Sequence, residues 1–411
     1  MTNLYRPLRS LREGCWFKLI CGASYQHLPA VRSLALAYAL AGADCIDVAA
    51  DPAVLAAARA GLDVAETLSR QAGQSQTGQS QTAGRPWLMV SLNDGEDPHF
   101  RKAEFDPALC PSDCPQPCVP ICPVQAIVFA KDAADSGVVE RLCYGCGRCL
   151  AICPVQQITA RSYVSTPAAV APLVLAGADA VEIHTQVGRL TDFSRLWQAI
   201  LPYVNQLKLV SISCPDGAGL IDYLQALYDL MSPLPCALIW QTDGRPMSGD
   251  IGDGATRAAV KLGQKVLAAG LPGYVQLAGG TNRHTAKKLK AIGLLNSSAS
   301  ADLPQAQSFQ PSRRTSHQIA GIAYGSYARS ILSAVLAELE ATQPLAELPH
   351  LTLQSQLATP TPIMTISSET ASSQTVSLRL EDRPELLWQA VELARELVAD
   401  LKPSAVANMS N

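Results

Sequence analysis

The stretch Ala176-Gly-Ala-Asp-Ala-Val-Glu-Ile-His184 contains a helix end, a stop and a strand. Apolar residues at helical spacing run from Pro167 into Ala176, and the glycine that follows ends the helix because it takes a left-handed backbone without a Cβ penalty. Ala180–His184 then reads as a short buried strand. The phrase recurs as Ala41-Gly-Ala-Asp44 and, altered, as Ala269-Gly-Leu-Pro272. A helix handing directly to a strand is the rhythm of βα units with parallel strands.

Outward from that stretch, strands are expected at Phe17–Cys21, Cys45–Ala49, Trp87–Leu92, Ala180–His184, Leu207–Ser213, Ala237–Thr242, Tyr274–Ala278 and Ile319–Tyr324. Helices are expected at Leu28–Ala41, Pro52–Ala60, Pro167–Ala176, Leu190–Val204, Leu220–Met231, Ala255–Ala269, Thr285–Ile292 and Ser330–Glu340. Eight such pairs predict an α/β fold, a TIM-like (β/α)8 barrel. An open doubly wound α/β sheet is the alternative that strand counting leaves standing.

A cysteine-rich block interrupts the rhythm after the third strand. It reads Cys110-x3-Cys114-x3-Cys118-x3-Cys122-Pro123, then Cys143-x2-Cys146-x2-Cys149-x3-Cys153-Pro154. The second run has bacterial-ferredoxin spacing, in which three close thiolates hold one [4Fe–4S] cluster and the fourth, before proline, reaches the other. That crossing assigns Cys110, Cys114, Cys118 and Cys153 to one cluster, and Cys143, Cys146, Cys149 and Cys122 to the second. The first run is wider than the usual spacing. Zinc needs only four ligands in C-x2-C pairs, and disulfides suit an oxidising compartment. The block thus predicts an inserted two-cluster ferredoxin-like domain. The expected divisions are 1–98 and 165–343 for the barrel, 99–164 for the insert and 344–411 for a tail.

The chain has 411 residues, 48% of them hydrophobic and 16% charged, with a formal net charge of −3. That balance gives no footprint for nucleic acid or an acidic membrane surface. Met1–Arg12 lacks the apolar core of a secretory signal, and no stretch reads as a membrane span. A cytoplasmic location is expected. Gln71–Gly84 and Asn296–Gln318 are low in complexity and read as linkers. In the tail, short β-like runs at Ile363–Ile366 and Thr375–Leu380 precede an amphipathic helix, Pro384–Leu401. Its apolar face packs on the barrel or, alternatively, takes a partner.

In a barrel, residues just after each strand converge on one mouth. Those candidates are Ser24, Asp51, Asn93, Asp94, His184, Thr185, Gln186, Cys214, Asp216, Gln241 and Asp243. Gly279, Gly280 and Thr281 after the seventh strand, with Gly325, Ser326 and Arg329 after the eighth, join glycines to polar residues at helix starts. Exposed backbone N–H groups there can hold an anion. The arrangement resembles the phosphate grip of flavin-mononucleotide barrels such as dihydroorotate dehydrogenases, which implies FMN or another phosphate-bearing ligand. Ordinary βα turns use the same glycines. The loop Gln241–Gly252 offers Arg245 as an anion contact, or docks the insert. His184 is a candidate acid or base, although no catalytic spacing accompanies it and no catalytic residue is assigned. Cys15, Cys21, Cys45, Cys214 and Cys236 read as buried small hydrophobes; Cys21 and Cys214 are a candidate redox pair.

Glu13-Gly-Cys-Trp-Phe-Lys-Leu-Ile-Cys-Gly-Ala-Ser24, the double cysteine block, Ala180–Gln186, Gly244-Arg-Pro-Met-Ser-Gly-Asp250 and Leu277-Ala-Gly-Gly-Thr-Asn282 together resemble the cyanobacterial light-dependent period (LdpA) family. The resemblance covers about residues 1–345. It implies an iron–sulfur redox-sensing input to the circadian clock, with the eight block cysteines as ligands. The implied partners are clock input proteins and photosynthetic redox carriers. A flavin- or substrate-binding oxidoreductase that uses the clusters for electron transfer is the competing reading, and a stand-alone electron carrier is a third.

Overall fold

The computed structural model describes residues 6–74, 84–95, 98–129, 136–162, 167–244, 254–295, 318–342 and 378–402. The strands begin with β1 (Trp16–Ile20), β2 (Cys45–Ala49) and β3 (Trp87–Asn93). The inserted segment carries β4 (Arg101–Glu104), β5 (Ile127–Val128), β6 (Gly137–Val138) and β7 (Thr159–Ser162). The series ends with β8 (Ala180–His184), β9 (Leu209–Pro215), β10 (Ala237–Asp243), β11 (Tyr274–Ala278) and β12 (Gly321–Tyr324). Eight of them close into a barrel in the order β1-β12-β11-β10-β9-β8-β3-β2. All eight pairings are parallel, and β1 bonds to both β12 (Trp16 opposite Gly321) and β2 (Lys18 opposite Cys45). The ring therefore has no edge, and the open-sheet alternative is excluded.

The helices are α1 (Arg6–Glu13), α2 (Leu28–Ala41), α3 (Pro52–Gln74), the short α4 (Cys118–Ile121) and α5 (Arg148–Ile152), and α6 (Pro167–Leu175). They continue with α7 (Leu190–Ile200), α8 (Leu220–Met231), α9 (Thr256–Ala269), α10 (Thr285–Ala291), α11 (Ser326–Ala341) and α12 (Pro384–Ala399). α3 runs past the expected helix end at Ala60 and takes the first four residues of the stretch expected to be a linker. Its stripe of Val54, Leu55, Ala58, Leu62 and Ala65 is buried. At Gly61 it lies so close to α2 that a Cβ would sit 2.3 Å from the Arg32 carbonyl oxygen. α11 begins at Ser326 rather than Ser330, with Gly325 as its N-cap.

Alternation along the strands sends one set of side chains outward against the helices and the other into the barrel. The outward set, including Phe17, Leu19, Val181 and Ile212, belongs to the main core. At the N-terminal end the interior is apolar, with Trp16, Trp87, Met89, Leu209 and Ile239 packed together. Leu8 and Leu11 of α1 close it from below; this plug helix was not anticipated. Above it lies a polar layer containing Lys18, Asp47, Glu182, Ser211, Gln241 and Gln276, all at most 3% exposed.

The tail helix α12 packs on α2 and α11. Leu386, Leu387, Ala390, Ala394 and Leu397 are buried there, and Leu401 just beyond the helix is buried too. Glu381 takes both guanidinium arms of Arg32, one at 2.7 Å. Leu380 starts a 3-10 turn, Leu380–Asp382, instead of ending a β-run. Residues 75–83, 245–252, 296–317, 363–366 and 375–377, with Arg245 and the expected linkers and β-like runs among them, lie outside the described residues. Among the described residues no helix is long and apolar enough to cross a membrane.

Candidate metal centre and the barrel mouth beneath it

The insert leaves the barrel after β3, at the C-terminal mouth. β4 and β7 form one antiparallel ribbon, with Arg101 opposite Ser162, and β5 and β6 form a second. Between the ribbons the chain repeats itself. Cys118-Val-Pro-Ile-Cys-Pro-Val-Gln-Ala-Ile127 and Cys149-Leu-Ala-Ile-Cys-Pro-Val-Gln-Gln-Ile158 share one course. Each starts with a single helical turn, α4 or α5, and ends it at a Cys-Pro. Each then places a glutamine in the left-handed region, Gln125 at φ 49° and Gln156 at φ 53°. The glutamine backbone N–H donates to the carbonyl of Cys122 at 3.2 Å or of Cys153 at 3.1 Å. Each ends on an isoleucine, and Ile127 and Ile158 share a small core with Cys118 and Cys149. The two copies form a pseudo-symmetric pair.

The thiols fall into two sets. Burial raises the Cys110 thiol, and the thiols that repel its charge are Cys114 and Cys153. Burial also raises Cys118, which is repelled by Cys153, Cys110 and Cys114. Cys149 is pushed up to about 12 by burial and by Cys146, Cys143 and Cys122. Cys146 is raised by burial and by Cys122 and Cys143. The fourth cysteine of each run therefore stands among the first three of the other. Backbone N–H groups point at sulfur, from Ala126 to Cys122 at 3.2 Å and from Ala103 to Cys143 at 3.3 Å. Burial pushes Cys153 up, but the amides of Gln157, Ile158, Val155 and Gln156 outweigh it and hold the thiol below its ordinary value.

Soft sulfur donors with N–H groups aimed at them suit iron–sulfur chemistry. Among the described residues no three Cys, His, Asp or Glu side chains gather closely enough to hold a single metal ion. The sets differ in setting. Around Cys110 and Cys153 the surface is apolar, with Leu109, Ile152 and Val155 exposed. Cys146 packs against the main core, and Cys143 and Cys149 are buried, Cys149 in the insert's own small core.

Tyr144, between two of those cysteines, carries the contact down to the barrel. Its ring meets Tyr25 edge-on, with centroids 6.0 Å apart, and the Arg329 guanidinium lies 4.0 Å from the ring centre. Lys102 is 1% exposed and bonds to Gln26 and to the Glu140 carbonyl, both at 2.9 Å. His99 and Phe100 pack against His184, with centroids at 5.2 and 5.3 Å. Neither Tyr144 nor Lys102 was singled out from sequence, since an aromatic or a lysine in a loop carries no motif.

Below the insert, Gly279, Gly280, Thr281, Gly325, Ser326 and Arg329 all line one cavity, with His184, Gln241 and Asp243 opposite. The other strand-end candidates lie elsewhere. Asp51 caps α3 through the amides of Ala53 and Val54. Ser24 reaches the Arg101 carbonyl at 3.5 Å. Thr185 bonds to Asp94 and Tyr223. Asp216 pairs with Lys265 at the surface, Gln186 is half-buried, and Asn93 is buried beside the ring. Cys21 and Cys214 belong to the outward core on opposite sides of the barrel, since β1 and β9 are four steps apart in the ring of eight. They cannot meet as a redox pair. Burial pushes Cys21 up to about 12, which leaves it an inert thiol.

Under the cavity floor runs a buried polar relay. Trp16 Nε1 donates to Gln276 at 2.6 Å, Gln276 Nε2 to Gln241 at 2.6 Å, and Gln241 Nε2 to Glu182 at 2.7 Å. Glu182 also accepts from Ser211 at 2.9 Å, contacts His184 Nε2 at 3.1 Å and pairs closely with Lys18. Burial alone would lower the Lys18 ammonium, but Glu182 and Asp47 outweigh it and hold it above its usual value. Burial would likewise raise Glu182, yet Lys18 and His184 keep it well below the carboxylate range. Burial raises Asp47, the third member, to about 6 against the pull of Lys18.

Two family models match this chain. One, for the LdpA Fe-S cluster-binding domain, covers residues 110–164, and one for the Light dependent period A C-terminal domain covers residues 173–400. The protein Light dependent period A of Synechococcus elongatus is 49% identical over 354 residues, which span 86% of this chain and 91% of that protein.

Proposed function

As the chain belongs to the light dependent period A family, we propose that it is an iron–sulfur redox sensor whose state adjusts circadian period to light. The crosswise division of eight cysteines into two sets of four is the observation that carries this reading. In it, residues 99–164 form a ferredoxin-like insert with two [4Fe–4S] clusters, within a barrel built from residues 1–98 and 165–343. The tail is 344–411. Bound clusters would supply reversible one-electron exchange.

The chain's own groups suit such a device. In the set of Cys110, Cys114, Cys118 and Cys153, all but the buried Cys118 are partly exposed, beside the apolar Leu109, Ile152 and Val155, where an electron carrier from photosynthesis can dock. The set of Cys122, Cys143, Cys146 and Cys149 lies against the barrel, where Tyr144 and Lys102 tie it to elements that do not touch that apolar surface. A charge change at the inner sulfurs alters the N–H bonds of Ala103 and Ala126. Ala103 belongs to the β4–β7 ribbon and Ala126 immediately precedes β5, so the docking of clock input proteins there becomes state-dependent. A cytoplasmic location follows from this role.

Protein purified without oxygen should contain iron and acid-labile sulfide, with paramagnetic signals from two clusters on reduction. Cys153→Ala should remove one signal and Cys122→Ala the other. Zinc in place of iron overturns the cluster assignment. Equal capture of clock input proteins by the oxidised and reduced forms overturns the sensing role.

A further inference from the structure

Arg329 is 6% exposed, yet among the described residues no carboxylate pairs with it. Its Nη1 donates to the Ile20 carbonyl at 2.7 Å and its Nη2 to Ser326 Oγ at 3.1 Å. Its Nε, buried at the cavity, has no hydrogen-bond partner among the described residues. A buried cation with neutral partners alone is costly, and a counter-ion is the ordinary remedy. The Tyr144 ring face supplies only part of that compensation.

The cavity beside Arg329 is built to receive one. Gly279 and Gly280 both have left-handed backbone, at φ 66° and 89°. At Gly280 a Cβ would come within 2.7 Å of the Ala255 carbonyl oxygen, so the turn has no room for a side chain. Ser326 opens the 16-residue helix α11, whose dipole favours negative charge in that corner. The cavity measures about 40 Å³. One water needs about 10–15 Å³ on this scale, so roughly three waters or one tetrahedral anion would fill it. An isoalloxazine ring would not fit. Asp243 on the far wall is held by Ser213 and by Gln241, the latter at 3.4 Å, and it would repel an anion placed near it. The anion therefore belongs on the Arg329 side.

We infer that the barrel mouth binds a phosphate-sized oxyanion between the Gly279–Thr281 turn and the Gly325–Arg329 helix start, as the counter-ion of Arg329. The ion is either free inorganic phosphate or the phosphoryl end of a small ester. Tyr144 covers it from the insert. The site does not depend on the cluster reading.

The test uses the full chain with its native metal content and follows thermal unfolding in inorganic phosphate against chloride of equal ionic strength. A ligand that binds only the folded state raises the melting temperature with its concentration. Phosphate should do so in the native chain. Ser326→Asp places a carboxylate beside Arg329. It should melt higher than the native chain without phosphate, and its apparent phosphate affinity should be at least roughly tenfold weaker. FMN and riboflavin separate the sources. Stabilisation by FMN but not riboflavin supports an ester end, and stabilisation by phosphate alone supports the free ion. No phosphate-specific shift in the native chain, or an equal shift in Ser326→Asp, overturns the inference.

Discussion

The guanidinium of Arg329, at the start of the last barrel helix, lies 4.0 Å from the centre of the Tyr144 ring, between two cysteines of the insert. The pair joins segments 185 positions apart in the chain and is buried at both ends, Tyr144 being 4% exposed. A desolvated cation–π contact is worth about 2 kcal/mol. Tyr144→Phe keeps the ring but removes the hydroxyl that hydrogen-bonds to Arg329, and should cost about 1 kcal/mol, the usual worth of one such bond. Tyr144→Leu removes the π-face and should cost about 2 kcal/mol or more, measured by denaturant unfolding.

Lys18 pairs with both Glu182 and Asp47 in the barrel interior, the latter at 3.4 Å. Removing one member of a buried pair leaves its partner uncompensated, at a cost of about 3–5 kcal/mol. Lys18→Met should show that loss at neutral pH. The defect should shrink in mild acid, as protonation of Asp47 removes one of the stranded charges. A defect independent of pH would mean that Lys18 matters only for packing.

Asp47 yields a prediction of opposite sign. Its folded value of about 6 lies above the ordinary aspartate value. A raised carboxyl contributes stability that is fully present below its unfolded pKa, near 4, and is lost as pH rises through the folded value. Between about pH 4 and 6 this group alone should therefore make the native chain less stable as pH increases. Glu182, held low, contributes stability above its unfolded pKa and loses it only in stronger acid. Asp47→Asn keeps Ser91 as a hydrogen-bond neighbour and leaves the Lys18–Glu182 pair intact. It should flatten the slope between pH 4 and 6, read from chemical denaturation across that window.

The barrel was legible because β-period and helix-period segments alternate with glycine stops, as at Gly42, Gly177 and Gly270. These are local signals. Closure was not legible, because it rests on Trp16 pairing with Gly321, 305 positions away in sequence. The cysteine runs stand out in sequence since thiolate spacing is itself a local geometry. The six anion-site candidates were found from glycines at strand ends, and they do share a cavity. Lys18, Gln276 and Tyr144 escaped notice. Lys18 alternates with apolar neighbours as any half-exposed strand lysine does, and only closure of the ring turns it inward. The Cys21–Cys214 pairing failed for the same reason, as position along a strand does not say which residues face each other across a barrel.

Gly145, between Tyr144 and Cys146, has no room for a side chain. Its backbone is left-handed at φ 71°, and a Cβ there would stand 2.0 Å from the Arg101 carbonyl oxygen. Arg101 belongs to β4, so neither side of this contact can give way without moving the ribbon. Gly219 provides the control, with nearly the same backbone, φ 72°, and nothing within 4 Å of an added Cβ. Gly219→Ala should cost only the left-handed penalty of about 1–2 kcal/mol. Gly145→Ala adds a backbone collision to that penalty, so the Cys143–Cys146 turn must leave β4. It should lose the metal bound by the inner cysteines while keeping that of the outer set, and its insert should be cut faster by protease. Iron content and digestion rate check this together. Full metal retention with native digestion would show that β4 yields more easily than its pairing with β7 implies.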